Sequence, residues 1–276
     1  MTETAAEQVG VPATGAPDTA AAPRAKRRWW LRILVAVVAL VVLAGGAELA
    51  LRAIIPNVIA NVVREHLKLD ETHPVAVELG GSALLPALTG RVGDVSVTVP
   101  DVQVLDGIEA TLHAHADSLP FDPTKGEIRG ATASAKIPAS SMGAIMGLAT
   151  DGLVDEGDVR PGELVVGRTL PIFGFEVHLT VSLAVSVQQG DLLIEPTSFS
   201  AVGFDLTADE LRPLLGDAAA KLLDVHTVCV SDKLPAAITL TEVALSYTGG
   251  GGAATVSIDI APDALSNPAQ QEPGSC

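Results

Sequence analysis

The sequence predicts an α+β protein in which an elongated, strongly twisted antiparallel sheet wraps on a long amphipathic helix, preceded by one transmembrane helix. Three observations predict it. Residues 33–47 form an uncharged apolar run, residues 58–67 repeat apolar side chains at helical spacing, and from Val75 onward the apolar period changes to two. Hydrophobic residues make up 48 % of the 276 and aromatics only 3 %. The core is therefore one of Val, Leu, Ala and Ile, a composition that suits sheets packed without large rings.

Residues 1–28 read as a disordered cytoplasmic tail, because the first 23 are Ala, Thr, Pro, Gly and Glu with scarcely a large apolar side chain to bury. Arg24, Lys26, Arg27, Arg28 and Arg32, with Trp29 and Trp30, then precede the apolar run. By the positive-inside rule this cluster stays in the cytoplasm. Residues 29–51 form a transmembrane signal anchor: residues 31–51, at about 1.5 Å each, cross a hydrocarbon core of roughly 30 Å if Arg32 and Glu48 reach towards the interfaces. A cleaved signal peptide is the rival, since Gly45, Gly46 and Ala47 offer small residues to a peptidase. The span's length favours the anchor. Either way, residues 52–276 are extracytoplasmic, and the protein is a single-pass partner of the cytoplasmic membrane.

Pro56 opens the amphipathic helix, with Val58, Ile59, Val62, Val63 and Leu67 on one face and Asn57, Asn61, Arg64, Glu65 and Lys68 on the other. Strands follow. Val75, Val77 and Leu79 alternate, as do Val95, Val97 and Val99, then Ile108, Ala110, Leu112, Ala114 and Ala116, then Ala131, Ala133, Ala135 and Ile137. Ser140 or Ser141 can cap a short helix over residues 142–149, and residues 151–162 read as an acidic loop. The longest alternation comes next: Phe173, Phe175, Val177, Leu179, Val181, Leu183, Val185 and Val187 share one face. That is over twice the usual strand length. Thr207 caps a helix over residues 208–223 that tolerates Pro213 only as a kink, and residues 238–260 read as a hairpin around Gly249, Gly250, Gly251 and Gly252.

Charge and motifs exclude several functions. The first 32 residues carry five basic and three acidic groups, or +2, so the remainder carries −18 of the net −16. A nucleic acid would be repelled by it. The glycine run lacks the Lys-Ser/Thr of a phosphate loop, and there is no G-x-S-x-G nucleophile elbow. His113, His115 and Asp117 share a strand face, but the other histidines stand in no ligand-like spacing, so a solvated face outweighs a metal site. No catalytic residue, metal or cofactor is implied. Cys229 and Cys276 both lie in the exported part, where an oxidising compartment permits a bridge and no third cysteine competes.

Several motifs together resemble the actinobacterial LmeA-like envelope proteins. They are the apolar span and amphipathic helix, Leu84-Leu85-Pro86-Ala87-Leu88-Thr89-Gly90-Arg91-Val92 leading into Val95-Ser96-Val97, Ala208-Asp209-Glu210-Leu211, and Cys229 ahead of Leu234-Pro235. The likeness covers residues 50–265. It implies a periplasmic, non-enzymatic phospholipid-binding protein of the cell envelope, associated with glycolipid biogenesis, with a curved sheet around a long helix as in tubular lipid-binding folds. The residues read alone reach the same class. Val58, Ile59, Val62, Val63 and Leu67, with Phe173, Phe175, Val177, Leu179, Val181 and Leu183, make a face of the kind an acyl chain needs, and the resemblance implies that the chain is that of a phospholipid bound or carried at the outer face of the cytoplasmic membrane. The alternative is that the same face is packed core in a structural or interaction module of the envelope with no ligand.

Overall fold

The computed structural model describes residues 25–276 apart from 123, 151, 153, 173–174, 202 and 214–220, with the backbone alone at 25–31, 149, 172, 175 and 222. Most of the expected tail, Phe173 and residues 214–220 of the expected fourth helix thus lie outside the described residues. The chain divides into two compact units, Met1–Gly46 and Ala47–Cys276. Helix α1, Ala25–His66, begins in the first and ends in the second. From Arg32 onward it is long and apolar enough to cross a membrane.

Helix α1 runs through Pro56, which therefore lies inside a helix and does not start one. A proline removes one i to i−4 hydrogen bond. Here the turn that loses it carries exposed Arg52 and Ala53, and the Asn57 side-chain amide donates to the Ala53 carbonyl at 2.7 Å. The helical spacing of apolar residues on both sides of Pro56 then belongs to one continuous element.

The second unit continues with β1 (Ala76–Leu79), α2 (Leu84–Leu88), β2 (Arg91–Leu105), β3 (Ile108–Pro120), β4 (Ala131–Pro138) and α3 (Met142–Ala149). Then come β5 (Glu156–Arg160), β6 (Glu163–Ile172), β7 (Phe175–Gln188), β8 (Asp191–Ala201), β9 (Phe204–Thr207), α4 (Ala208–Leu211), β10 (His226–Val228), β11 (Ile238–Thr248) and β12 (Gly251–Ile260). They form two antiparallel sheets. The first has the order β1-β2-β3-β4-β12-β11; the second runs β10-β8-β7-β6-β5, with β9 paired to β8. The alternation legible in the sequence is thus divided between two sheets. Both contain long strands, 15 residues in β2 and 14 in β7, against a usual five or six.

Two features of α1 and α2 fix how the second unit begins. The Glu48 carboxylate accepts the N–H groups of Ala83 and Leu84, each at 2.8 Å, and the Ser82 hydroxyl at 2.9 Å, while pairing with Arg52 at 2.8 Å. It therefore satisfies donors at the start of α2 that have no partner inside so short a helix. Arg52 also donates to the Gly81 carbonyl.

The core is small and aliphatic. Ala116, Ile128 and Ala131 cluster with Leu119 and Ile260; Met142, Val159 and Ala254 cluster with Ile145, Leu164 and Leu245, which brings α3, β5 and β6 against β11 and β12. This second cluster explains a strand that the sequence concealed. Residues 151–162 read as a loop because Val159 is the single apolar side chain of Glu156–Arg160, yet that side chain is fully buried and the segment pairs with β6 as β5. A β-carbon on Gly252 would collide with the Val159 carbonyl, so β12 and β5 approach through glycine. Gly249 and Gly250, at φ 62° and 83°, make the two-residue hairpin turn that needs left-handed backbone at both positions.

Two helix expectations need adjustment. Helix α3 has the expected bounds, but the Ser141 hydroxyl accepts the Glu109 N–H at 3.1 Å and caps nothing. Thr207 does cap α4, in a reciprocal box with Glu210, but α4 ends at Leu211. Pro213 has no N–H for the Asp209 carbonyl, so the helix stops there, and a short 3-10 turn forms at Lys221–Leu223. At the C-terminus Cys229 and Cys276 are joined by a disulfide, with Cα atoms 6.1 Å apart. The tail is also held by Ala236 N–H to Glu272 O at 2.8 Å and Gly274 N–H to Leu234 O at 2.9 Å.

Candidate functional site

Four strands of the first sheet present two matched apolar rows on one face. Val97 lies opposite Ala114, Ala114 opposite Ala133, and Ala133 opposite Ile258; beside them run Val99, Leu112, Ala135 and Val256. Over these rows the last turn of α1 places Val62, Val63 and His66, followed by Leu67. Between helix and sheet is a cavity of about 550 Å³, within the usual range of roughly 300–1,000 Å³ for ligand pockets.

The hollow has a cause in the sequence. Three of the eight floor side chains are alanines, Ala114, Ala133 and Ala135, at positions where a strand face against a helix ordinarily carries Val, Ile or Leu. Alanine at these positions leaves empty the space that a larger side chain would take. His113 and Ser134 also border the cavity, but they alternate with the floor residues and are cross-strand partners on the opposite face, where His113 Nδ1 and Thr98 Oγ1 hydrogen-bond at 2.9 Å. His66 is the one polar side chain of the roof, with Nδ1 bonded to the Val62 carbonyl at 2.9 Å. An interior this apolar offers dispersion contact to hydrocarbon.

Of the residues nominated from sequence, the structure brings Val62, Val63 and Leu67 together at the roof. Val58 and Ile59 lie about one turn earlier on α1 and do not border the cavity. Val177, Leu179, Val181 and Leu183 are half-buried on β7 in the second sheet, opposite Leu170, Arg168, Val166 and Leu164 of β6, and none borders the cavity. Phe173 lies outside the described residues, as does the side chain of Phe175. The floor was not nominated, although its signal is present: a strand face whose inward positions shrink to alanine in neighbouring strands, at Ala114, Ala133 and Ala135, leaves space.

His113 and His115 sit on the polar face of β3. His115 hydrogen-bonds to Ser96 Oγ at 3.1 Å through Nδ1 and to Asp117 at 3.3 Å through Nε2. Among the described residues, ligand-type atoms of three side chains converge at Asp191 with Cys229 and Cys276, and there both sulfurs are held in the disulfide.

No curated protein and no solved structure matches the chain. A family model for LmeA-like phospholipid-binding proteins matches residues 46–251, which takes in the whole of the roof and every floor residue except Val256 and Ile258. Because that match covers well over half of the 276 residues, the chain belongs to the LmeA-like phospholipid-binding family.

Proposed function

We propose that this protein binds or carries phospholipid at the outer face of the cytoplasmic membrane in support of envelope glycolipid biogenesis, by holding one acyl chain in the cavity beneath the end of α1. The observation that carries this reading is the alanine-floored apolar hollow in a chain of a phospholipid-binding family. A methylene takes about the 30 Å³ that a water molecule takes in the liquid. The cavity therefore has room for roughly one chain of sixteen to eighteen carbons, and the second chain of a diacyl lipid lies elsewhere.

Entry needs no energy source. Moving a chain from bilayer to cavity exchanges one apolar medium for another, so the ~0.8 kcal/mol per methylene that opposes exposure to water is nearly conserved. From Glu48 to Val62, at about 1.5 Å per residue, α1 rises roughly 21 Å. Val58 and Ile59 lie on that path, and in this reading they guide the chain towards Val62, Val63 and Leu67.

Residues 1–28 form the cytoplasmic tail in this reading, and the anchor of residues 29–51 nears the outer interface at Glu48, which is engaged with Ser82, Ala83 and Leu84 of the second unit. The disulfide suits an oxidising, extracytoplasmic compartment for residues 52–276.

The test is photolabelling of the full chain in proteoliposomes with a phospholipid that carries a diazirine near the end of one acyl chain. Label is expected on residues 97–99, 112–114, 133–135 and 62–67. Label on residues 177–183 as well would extend the site to β7. Label confined to residues 32–47 would mean ordinary bilayer contact and would sink the proposal.

A further inference from the structure

The short helix α2 buries none of its residues, and its Leu85 and Leu88 side chains are 67 % and 74 % exposed. Phe121, at 58 %, stands beside its C-terminal end, where the Phe121 N–H donates to the Gly90 carbonyl at 2.9 Å. Large apolar side chains gathered this way on a surface mark a contact with a partner or a membrane. The identity of the covering surface follows from what holds α2. Its first N–H groups are bonded to Glu48, one residue beyond the apolar run that ends at Ala47. Leu49, next in the chain, is itself 71 % exposed. If the run is in the bilayer, Glu48 stands at its surface and α2 stands there with it.

We propose that α2 and Phe121 form an interfacial foot that dips Leu85, Leu88 and Phe121 into the headgroup and upper acyl region of the membrane, seating the domain on the lipid surface. Interfacial segments of this kind bury their apolar side chains about 5–10 Å deep while their backbone polar groups remain satisfied. Here the Glu48 carboxylate, Ser82 and the Gly90 carbonyl satisfy the ends of the segment. Lys125, paired with Asp122 at 2.6 Å, lies four residues beyond Phe121 and supplies a cation at headgroup level. The foot does not depend on the cavity's being filled, and the membrane partner is distinct from the single lipid bound inside.

The experiment uses the full chain, with Trp29 and Trp30 replaced by Phe, in vesicles of phosphatidylcholine brominated on the acyl chains; only protein that floats with the vesicles is measured. Single tryptophans are introduced as Leu88→Trp, Phe121→Trp and, as the control on the opposite edge strand of the first sheet, Tyr247→Trp, which is 46 % exposed at the native residue. All three positions are exposed, so the variants fold. The proposal expects a blue-shifted spectrum and at least two-fold bromine quenching at positions 88 and 121, with neither at 247. Unquenched emission at 88 and 121 overturns it, and a blue shift without quenching does so too, since a protein partner then covers the face. Equal quenching at all three positions also overturns it, as indiscriminate adsorption.

Discussion

Ala114, Ala133 and Ala135 lie in rows whose other members are Val, Leu and Ile, and the difference of a few carbons at each is what separates a dry core from a cavity. The same scale governs where the two sheets meet. Gly252 lets β12 approach Val159, and a methyl group there meets a backbone carbonyl that cannot rotate away. Gly252→Ala should therefore destabilise the fold by about 1–3 kcal/mol, the usual cost of overpacking. Chemical denaturation checks this: an unchanged midpoint would mean that β5 and β12 are not in contact in solution. Gly250→Ala probes a different requirement, the left-handed turn at φ 83°, and does not touch β5.

At the scale of elements, α1 links the apolar run to the first strands, and Glu48 is the residue through which it holds α2. Glu48→Gln removes the charge that the Ala83 and Leu84 N–H groups share. Faster amide exchange at Ala83 and Leu84, with unchanged protection in β3 and β4, is the expected outcome; unchanged exchange at both would show that α2 does not depend on this contact. Most of these elements could be read in the sequence, because β3, β4, β7 and β12 alternate with a period of two, and β2 and β11 do so on either side of an irregularity, at Val99/Val102 and Leu240/Glu242. The elements that could not be read are those stabilised from elsewhere. Strand β5 depends on the burial of one valine, and α1 continues through Pro56 because flanking turns on both sides are already helical. The candidate site was half legible for a related reason. Its roof shows as a helical stripe at Val62, Val63 and Leu67, whereas its floor depends on four strands coming into register, and periodicity carries no information about which strands pair. The exceptional length of the alternation now in β7 pointed to the second sheet for this reason, while the hollow lies under the first.

For the whole molecule, the reading requires one end of the chain on each side of a membrane. The basic cluster from Arg24 to Arg32 and the acidic remainder predict a cytoplasmic N-terminus and an external C-terminus. A reporter active only outside the membrane should work when fused after Cys276 and be silent at Thr2, and the reverse pattern would rule out this topology. On the proposed reading the roof of the cavity begins roughly 21 Å along α1 from Glu48, within reach of exchange with membrane lipid. The alternative of a packed, ligand-free module differs in one respect, the occupancy of the hollow. Native mass spectrometry of the full chain released from detergent micelles measures that occupancy, beside the double variant Ala133→Leu/Ala135→Leu, whose six added carbons fill about a third of the cavity at ~30 Å³ each. The account predicts one phospholipid retained on each wild-type chain and clearly less on the filled variant, with both equally folded; a wild-type chain without lipid, or the same lipid occupancy on both, would contradict it.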